Sequence, residues 1–103
     1  MLSNSLITSS SPVQVFLSAG EQAISSIFFC NISETTDCTV DVYAVPSGQT
    51  LGPVTQIIKK LPLSKNETFV FDTEKLVLSD GDTIWAQSSE NNVVAVTISS
   101  IAM

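Results

Sequence analysis

Along most of this chain apolar and polar residues alternate with a period of two, or gather in short blocks rich in Val, Ile, Phe and Thr. Turn-forming residues recur about every ten positions, and this combination predicts an all-β fold built as a single β-sandwich, immunoglobulin-like or jelly-roll-like. Seven strands are expected, at 13–17, 23–30, 38–45, 54–61, 67–71, 83–87 and 93–101. Residues 1–12 stand apart from this domain, 13–103. They are Ser-rich with isolated apolar spots at Leu2 and Leu6-Ile7, which fits an N-terminal arm that orders on a neighbour and equally fits a first edge strand.

The punctuation between strands has local causes. Ala19-Gly20-Glu21, Pro46-Ser47-Gly48, Gly52-Pro53, Ser64-Lys65-Asn66, Ser79-Asp80-Gly81-Asp82 and Glu90-Asn91-Asn92 each contain a residue that tolerates positive φ, fixes φ, or bonds its own backbone. Helix is expected only as one short turn near 73–78, capped by Asp72 or Thr73, with Leu76 and Leu78 closing one end of the core.

The pleat also assigns faces. Val40, Val42 and Ala44 share one face of their strand, and Val94, Val96 and Ile98 share one face of theirs. Phe28 and Phe29 are adjacent and must point to opposite sides, so one enters the core and the other meets something else; the pattern alone does not choose between them. Ile84 and Ala86 suit an inward face, which turns Trp85 outward as a contact residue unless its strand is buried on both sides.

Length and charge narrow the classes of function. A chain of 103 residues supports one core. Only 14% of its residues are charged, below the usual share of about 25%, so much of its outside is neutral polar or is covered by another chain. The net charge is −6, from ten carboxylates against four basic residues, all of them lysines between Lys59 and Lys75. An acidic chain without arginine lacks the cationic footprint that binds nucleic acid or an anionic membrane surface, and no partner of either kind is expected. The opening residues carry no basic segment and no long apolar run, so the expectation is a soluble product of the cytoplasm.

Candidate chemistry is sparse. There is no histidine, so nucleophile and base pairs built on it are out of reach, and no catalytic residue is expected. Asp72, Glu74, Asp80 and Asp82 offer paired carboxylates for acid–base work or calcium, but Asp80-Gly81-Asp82 matches a turn better than a calcium loop. Cys30 and Cys38 flank a polar stretch and could face each other as a disulfide, while reduced thiols are the cytoplasmic default; zinc would need further ligands that the chain does not have. No cofactor and no metal are expected. Asn31-Ile32-Ser33 and Asn66-Glu67-Thr68 fit the N-glycosylation pattern and also fit ordinary turn chemistry. What remains is low-charge strand surface, above all the final strand, which has no charge after Glu90 and suits contact between subunits. The contact candidates are Leu2, Leu6, Ile7, Phe28, Phe29, Trp85, Ile98 and Ile101.

Four stretches, Ile27-Phe28-Phe29-Cys30-Asn31, Val40-Asp41-Val42-Tyr43-Ala44-Val45-Pro46, the run from Val70 to Leu78, and Gly81-Asp82-Thr83-Ile84, together resemble small virion structural proteins of tailed bacteriophages, including phages of cyanobacteria. The resemblance is one of pattern and spans about residues 22 to 101. It implies a non-enzymatic β-domain, found in the virion after assembly in the host cytoplasm and attached in many copies to other virion proteins. The expected role is a capsid cement or decoration protein lying between major capsid subunits as a homo-oligomer, for example a trimer. Alternatives are a neck, tail or baseplate accessory protein, or a carbohydrate-binding fibre-tip module using Trp85, Gln87 and nearby carboxylates.

Overall fold

The alternation resolves into nine strands in a computed structural model that describes residues 1–72 and 75–103: β1 (Leu2–Ile7), β2 (Val13–Leu17), β3 (Gln22–Asn31), β4 (Cys38–Val45), β5 (Gln56–Leu63), β6 (Thr68–Phe71), β7 (Leu76–Leu78), β8 (Thr83–Ser88) and β9 (Val94–Ala102). They form two antiparallel sheets, one ordered β1-β9-β3-β6 with β7 also on β3, the other ordered β2-β8-β4-β5. β6 pairs with residues 27–30 of β3 and β7 with residues 22–24, so the two are one interrupted strand along a single edge. Counted so, consecutive strands β1 to β4 cross alternately between the sheets, and β9 returns to lie between β1 and β3. This is the strand order of an eight-stranded jelly roll, which settles the choice between the two sandwich types expected.

The core follows from the period-two pattern. β9 buries Val94, Val96, Ile98 and Ser100 on its inner face, and β8 buries Ile84, Ala86 and Ser88. Ile24, Ile27 and Phe29 of β3 meet Val40 and Val42 of β4 in the same apolar cluster. Phe29 is fully buried with its ring 6.4 Å from that of Phe69, a tilted aromatic pair, whereas Phe28 faces outward at 38% exposure. Keeping Ile24 and Ile27 both inward requires one extra residue in β3, and the register indeed shifts between Ile24 and Ser26. The hydroxyl of the bulged Ser25 donates to the Ser99 backbone oxygen at 3.1 Å, so the bulge is stitched to β9.

Two local expectations are corrected. The segment read as a helical turn at 73–78 contains strand: Leu76–Leu78 is β7, because pairing there satisfies the outer edge of β3, which a helical turn would leave unbonded. Thr73 and Glu74 of that stretch lie outside the described residues. The single 3₁₀ turn among the described residues is Pro53–Thr55, where a strand was expected to begin. Pro53 suits the first position of a helical turn, and the Thr55 hydroxyl donates to the Gly52 oxygen at 2.9 Å, which delays the strand to Gln56.

At one end of the sandwich the turns at Ser18–Gly20 and Pro46–Gly48 converge on the β7–β8 connection. Gly81 has φ +87, a conformation that favours glycine, and a Cβ there would sit 2.8 Å from the Ser47 Oγ, so a larger residue would also make Ser47 shift.

Replacing Phe29 with Ala should destabilise the fold by about 3–5 kcal/mol, the usual cost of emptying an aromatic site in a packed core. Phe28→Ala should stay within about 1 kcal/mol, and urea unfolding of the two variants followed by Trp85 fluorescence distinguishes them.

Candidate functional site

The carboxylates that could have formed a catalytic or calcium site are used as ties between turns. Asp82 accepts from the Ser47 backbone N–H at 2.8 Å through Oδ1 and from the Ser79 N–H at 2.8 Å through Oδ2. Asp80 Oδ1 accepts from the Gly20 N–H at 2.7 Å. Ser18 donates its N–H to the Asp82 backbone oxygen and accepts from the Gly81 N–H, both at 2.9 Å, which fastens the end of β2 to the same turn. Both Asp82 oxygens and one Asp80 oxygen thus hold loops in place through backbone donors. Among the described residues no group of three or more Asp, Glu, Cys or His converges on a metal-sized space. An apolar groove of about 200 Å³ lies between residues 44–46 and β7, and among the described residues the only ionisable group lining it is Asp82, already engaged.

The two cysteines do not pair. Cys30 lies on the outer face of its sheet and is half-buried, while Cys38 opens β4 and points into the core, so the pleat places them on different layers and both are free thiols. The disulfide expected as one option is therefore absent. Burial pushes the Cys38 thiol up from its ordinary value, a hydrogen bond with Ser88 opposes this, and the charges of Glu90 and Asp37 push it up further. Asn31, the first residue of a glycosylation pattern, is 1% exposed. Its amide nitrogen donates to the backbone oxygens of Thr36 at 2.9 Å and Leu63 at 3.1 Å, and its oxygen accepts from the Ser33 N–H at 2.9 Å. That side chain closes the β3–β4 connection and is not available to a glycan.

Trp85 is half-buried on the outer face of the β2-β8-β4-β5 sheet, in register between Gln14 of β2 and Tyr43 of β4. Its indole N–H donates to the Thr83 hydroxyl at 2.9 Å. The polar groups beside it are committed elsewhere: Gln87 donates to the Ser10 backbone oxygen at 2.6 Å and accepts from the Tyr43 hydroxyl at 3.3 Å, and Asp41 accepts from the Lys60 N–H at 2.6 Å. A sugar site needs polar groups that converge on the aromatic, and here Gln87 and Asp41 each already spend part of their bonding on the fold.

The other sheet presents a different outside. No Asp, Glu, Lys or Arg occurs in its described strands β1, β9, β3, β6 and β7, whereas the opposite sheet carries Asp41, Lys59 and Lys60 within strands. The register lines outward residues into cross-strand rows. One row reads Leu6, Ala95, Cys30, Thr68, and the next reads Asn4, Thr97, Phe28, Val70. Towards the far end, Ile101, Ala23 and Val77 lie side by side. Leu2, opposite Ser99 of β9, is 67% exposed, and with Val77 at 62% and Ile101 at 61% it is among the most exposed apolar side chains of the face. Lys75 touches only its border, where its ammonium donates to the backbone oxygens of Ser25 and Asp72.

The expected contact residues divide accordingly. Leu2, Leu6, Phe28 and Ile101 lie together on this uncharged face. Ile7, Phe29 and Ile98 are each 0% exposed and belong to the core, so they are removed from the contact set. Trp85 lies on the opposite sheet. Val70, Val77 and Thr97 join the face although sequence reasoning did not single them out; the alternation in β6 and β9 was the available signal. Comparisons with protein-family models, with curated proteins and with solved structures find no match.

Under native conditions a soluble maleimide should modify Cys30 first, and Cys38 should react only once the fold opens, with both thiols counted in denaturant. Mass spectrometry after timed quenching provides the check, and equal native rates would contradict the burial of Cys38.

Proposed function

We propose that this chain is a non-enzymatic structural protein of a phage virion, most plainly a capsid cement or decoration protein attached between major capsid subunits. The observation that carries this reading is the uncharged outer face of the β1-β9-β3-β6 sheet. Monomeric domains rarely leave a broad charge-free sheet face in water, and such a face suits burial against protein, because no ion needs to be desolvated to cover it. The jelly-roll order adds weight by analogy of fold only, since capsid and lectin domains share it with enzymes.

Attachment would work through modest burial repeated many times. Phe28, Val70 and Leu6 supply apolar area, the Asn4 amide, which donates to the Thr97 hydroxyl at 2.8 Å, keeps its oxygen and second N–H for bonds across an interface, and copy number raises the effective affinity of each weak contact. The acidic loops stay outside and keep the free protein soluble before assembly. Carboxylates tied to backbone N–H groups and the absence of histidine speak against a catalytic role.

Cryo-electron microscopy of virions with and without the protein is the test. Extra density over the capsomers, lost when the protein is omitted, is expected. Density confined to the tail or neck would reassign it as an accessory protein there, and its absence from virions would overturn the reading. Phe28→Asp should abolish attachment while leaving the circular dichroism spectrum of the free protein unchanged, because that side chain is outside the core.

A further inference from the structure

The edges of the two sheets are guarded unequally. β5 carries Lys59, Lys60 with φ 52, and Pro62, each of which discourages another strand from pairing. β2 is five residues long and breaks register between Gln14 and Phe16. The edge made by β6 and β7 is interrupted by Asp72 and Lys75. β1 has no such device: six residues without a charge or proline, in unbroken register with β9.

Its hydrogen-bonding direction can be read from the neighbouring bonds. The Met1 oxygen accepts from the Ser100 N–H at 2.9 Å and the Ile7 oxygen from the Asn92 N–H at 3.0 Å, so odd-numbered residues of this strand bond inward to the β9 side. By the antiparallel alternation, the N–H and C=O groups of Leu2, Asn4 and Leu6 point away from the sheet, and among the described residues no strand pairs with that side. The sequence there, Leu2-Ser3-Asn4-Ser5-Leu6, is a palindrome centred on Asn4.

We propose that β1 is a dimerisation edge, on which β1 of a second copy of this chain pairs antiparallel about a two-fold axis at Asn4. In that register Leu2 stands opposite Leu6 of the second copy, Asn4 opposite Asn4, and Ser3 opposite Ser5. Every outward backbone group of Leu2, Asn4 and Leu6 then finds a partner. A slip by one residue sets outward groups against inward ones, and a slip by two leaves a leucine without its counterpart. An isologous contact must be self-complementary, and the palindrome supplies this for backbone and side chains together. Charge points the same way: at net −6 two copies repel through most surfaces, yet β1 and β9 bring no charged side chain to the contact, and the one ion beside it, the Met1 ammonium, is bonded to the Ser100 oxygen. The contact is small, so an association on the order of micromolar is expected. The inference does not rest on the virion reading, although a two-fold pair would also join two uncharged faces into one.

Sedimentation equilibrium of the full chain between about 1 and 300 µM tests it, with wild type expected to shift from monomer to dimer. Asn4→Lys and Asn4→Asp place like charges together at the axis and should each weaken self-association by about tenfold or more, while an equal mixture of the two should recover a dimer containing one copy of each. Amide exchange in the wild type gives a readout free of substitutions: Leu2, Asn4 and Leu6 should be protected at high concentration and exposed at low. A wild type that stays monomeric throughout, a dimer that neither variant weakens, or a mixture that fails to recover would each overturn the proposal.

Discussion

The structure depends on one constraint, the burial of alternate residues from β3, β9, β4 and β8 against each other between two sheets. These central strands contribute Ile24, Ile27 and Phe29 on one side with Val94, Val96 and Ile98, and Val40, Val42, Ile84 and Ala86 on the other. Each residue placed inward fixes its two neighbours outward, so the same pleat that makes the core also composes both outer faces. The bulge at Ser25 shows how strictly this holds, because β3 adds a residue to keep both flanking isoleucines inside.

From this follows the difference between the two outsides. One sheet turns Asp41, Lys59 and the Trp85–Tyr43 pair outward, with polar groups already bonded within the fold. The other turns out leucine, phenylalanine, alanine, serine and threonine with no ion. Most charges of the chain lie in connections, where Asp80 and Asp82 bind backbone N–H groups and hold turns together. The acidic character of the molecule is thus a property of its ends and loops, and the uncharged sheet is free to meet protein.

The polar interior is small and most of it ties turns or strands together, with the Gln22 Oε1 the one buried side-chain oxygen or nitrogen without a partner among the described residues. Asn31 shows this best, since its amide joins the backbone at Thr36, Leu63 and Ser33 and its burial costs little while all those bonds are made. Cys38 lies beside it, within 3.6 Å of the Asn31 nitrogen, as a protonated thiol packed in the core. Asn31, Asp80 and Asp82, which looked like signals for modification or catalysis, close loops, whereas the two cysteines sit within strands.

By itself the sequence determined the all-β class and the approximate positions of seven strands, because period two is a local property and turn residues act within a few positions. β2 and β4 fall at the boundaries that pattern predicts. It did not determine that Phe29 rather than Phe28 enters the core, since adjacent aromatics are equivalent until the opposite sheet is in place. Nor did it show that Leu76–Leu78 is a strand, because that depends on the unfilled edge of β3, more than fifty residues away in the chain at Gln22–Ile24. The uncharged face was latent in the letters of five separate segments; only the tertiary pairing of β1, β9, β3, β6 and β7 laid them side by side and made a surface of them.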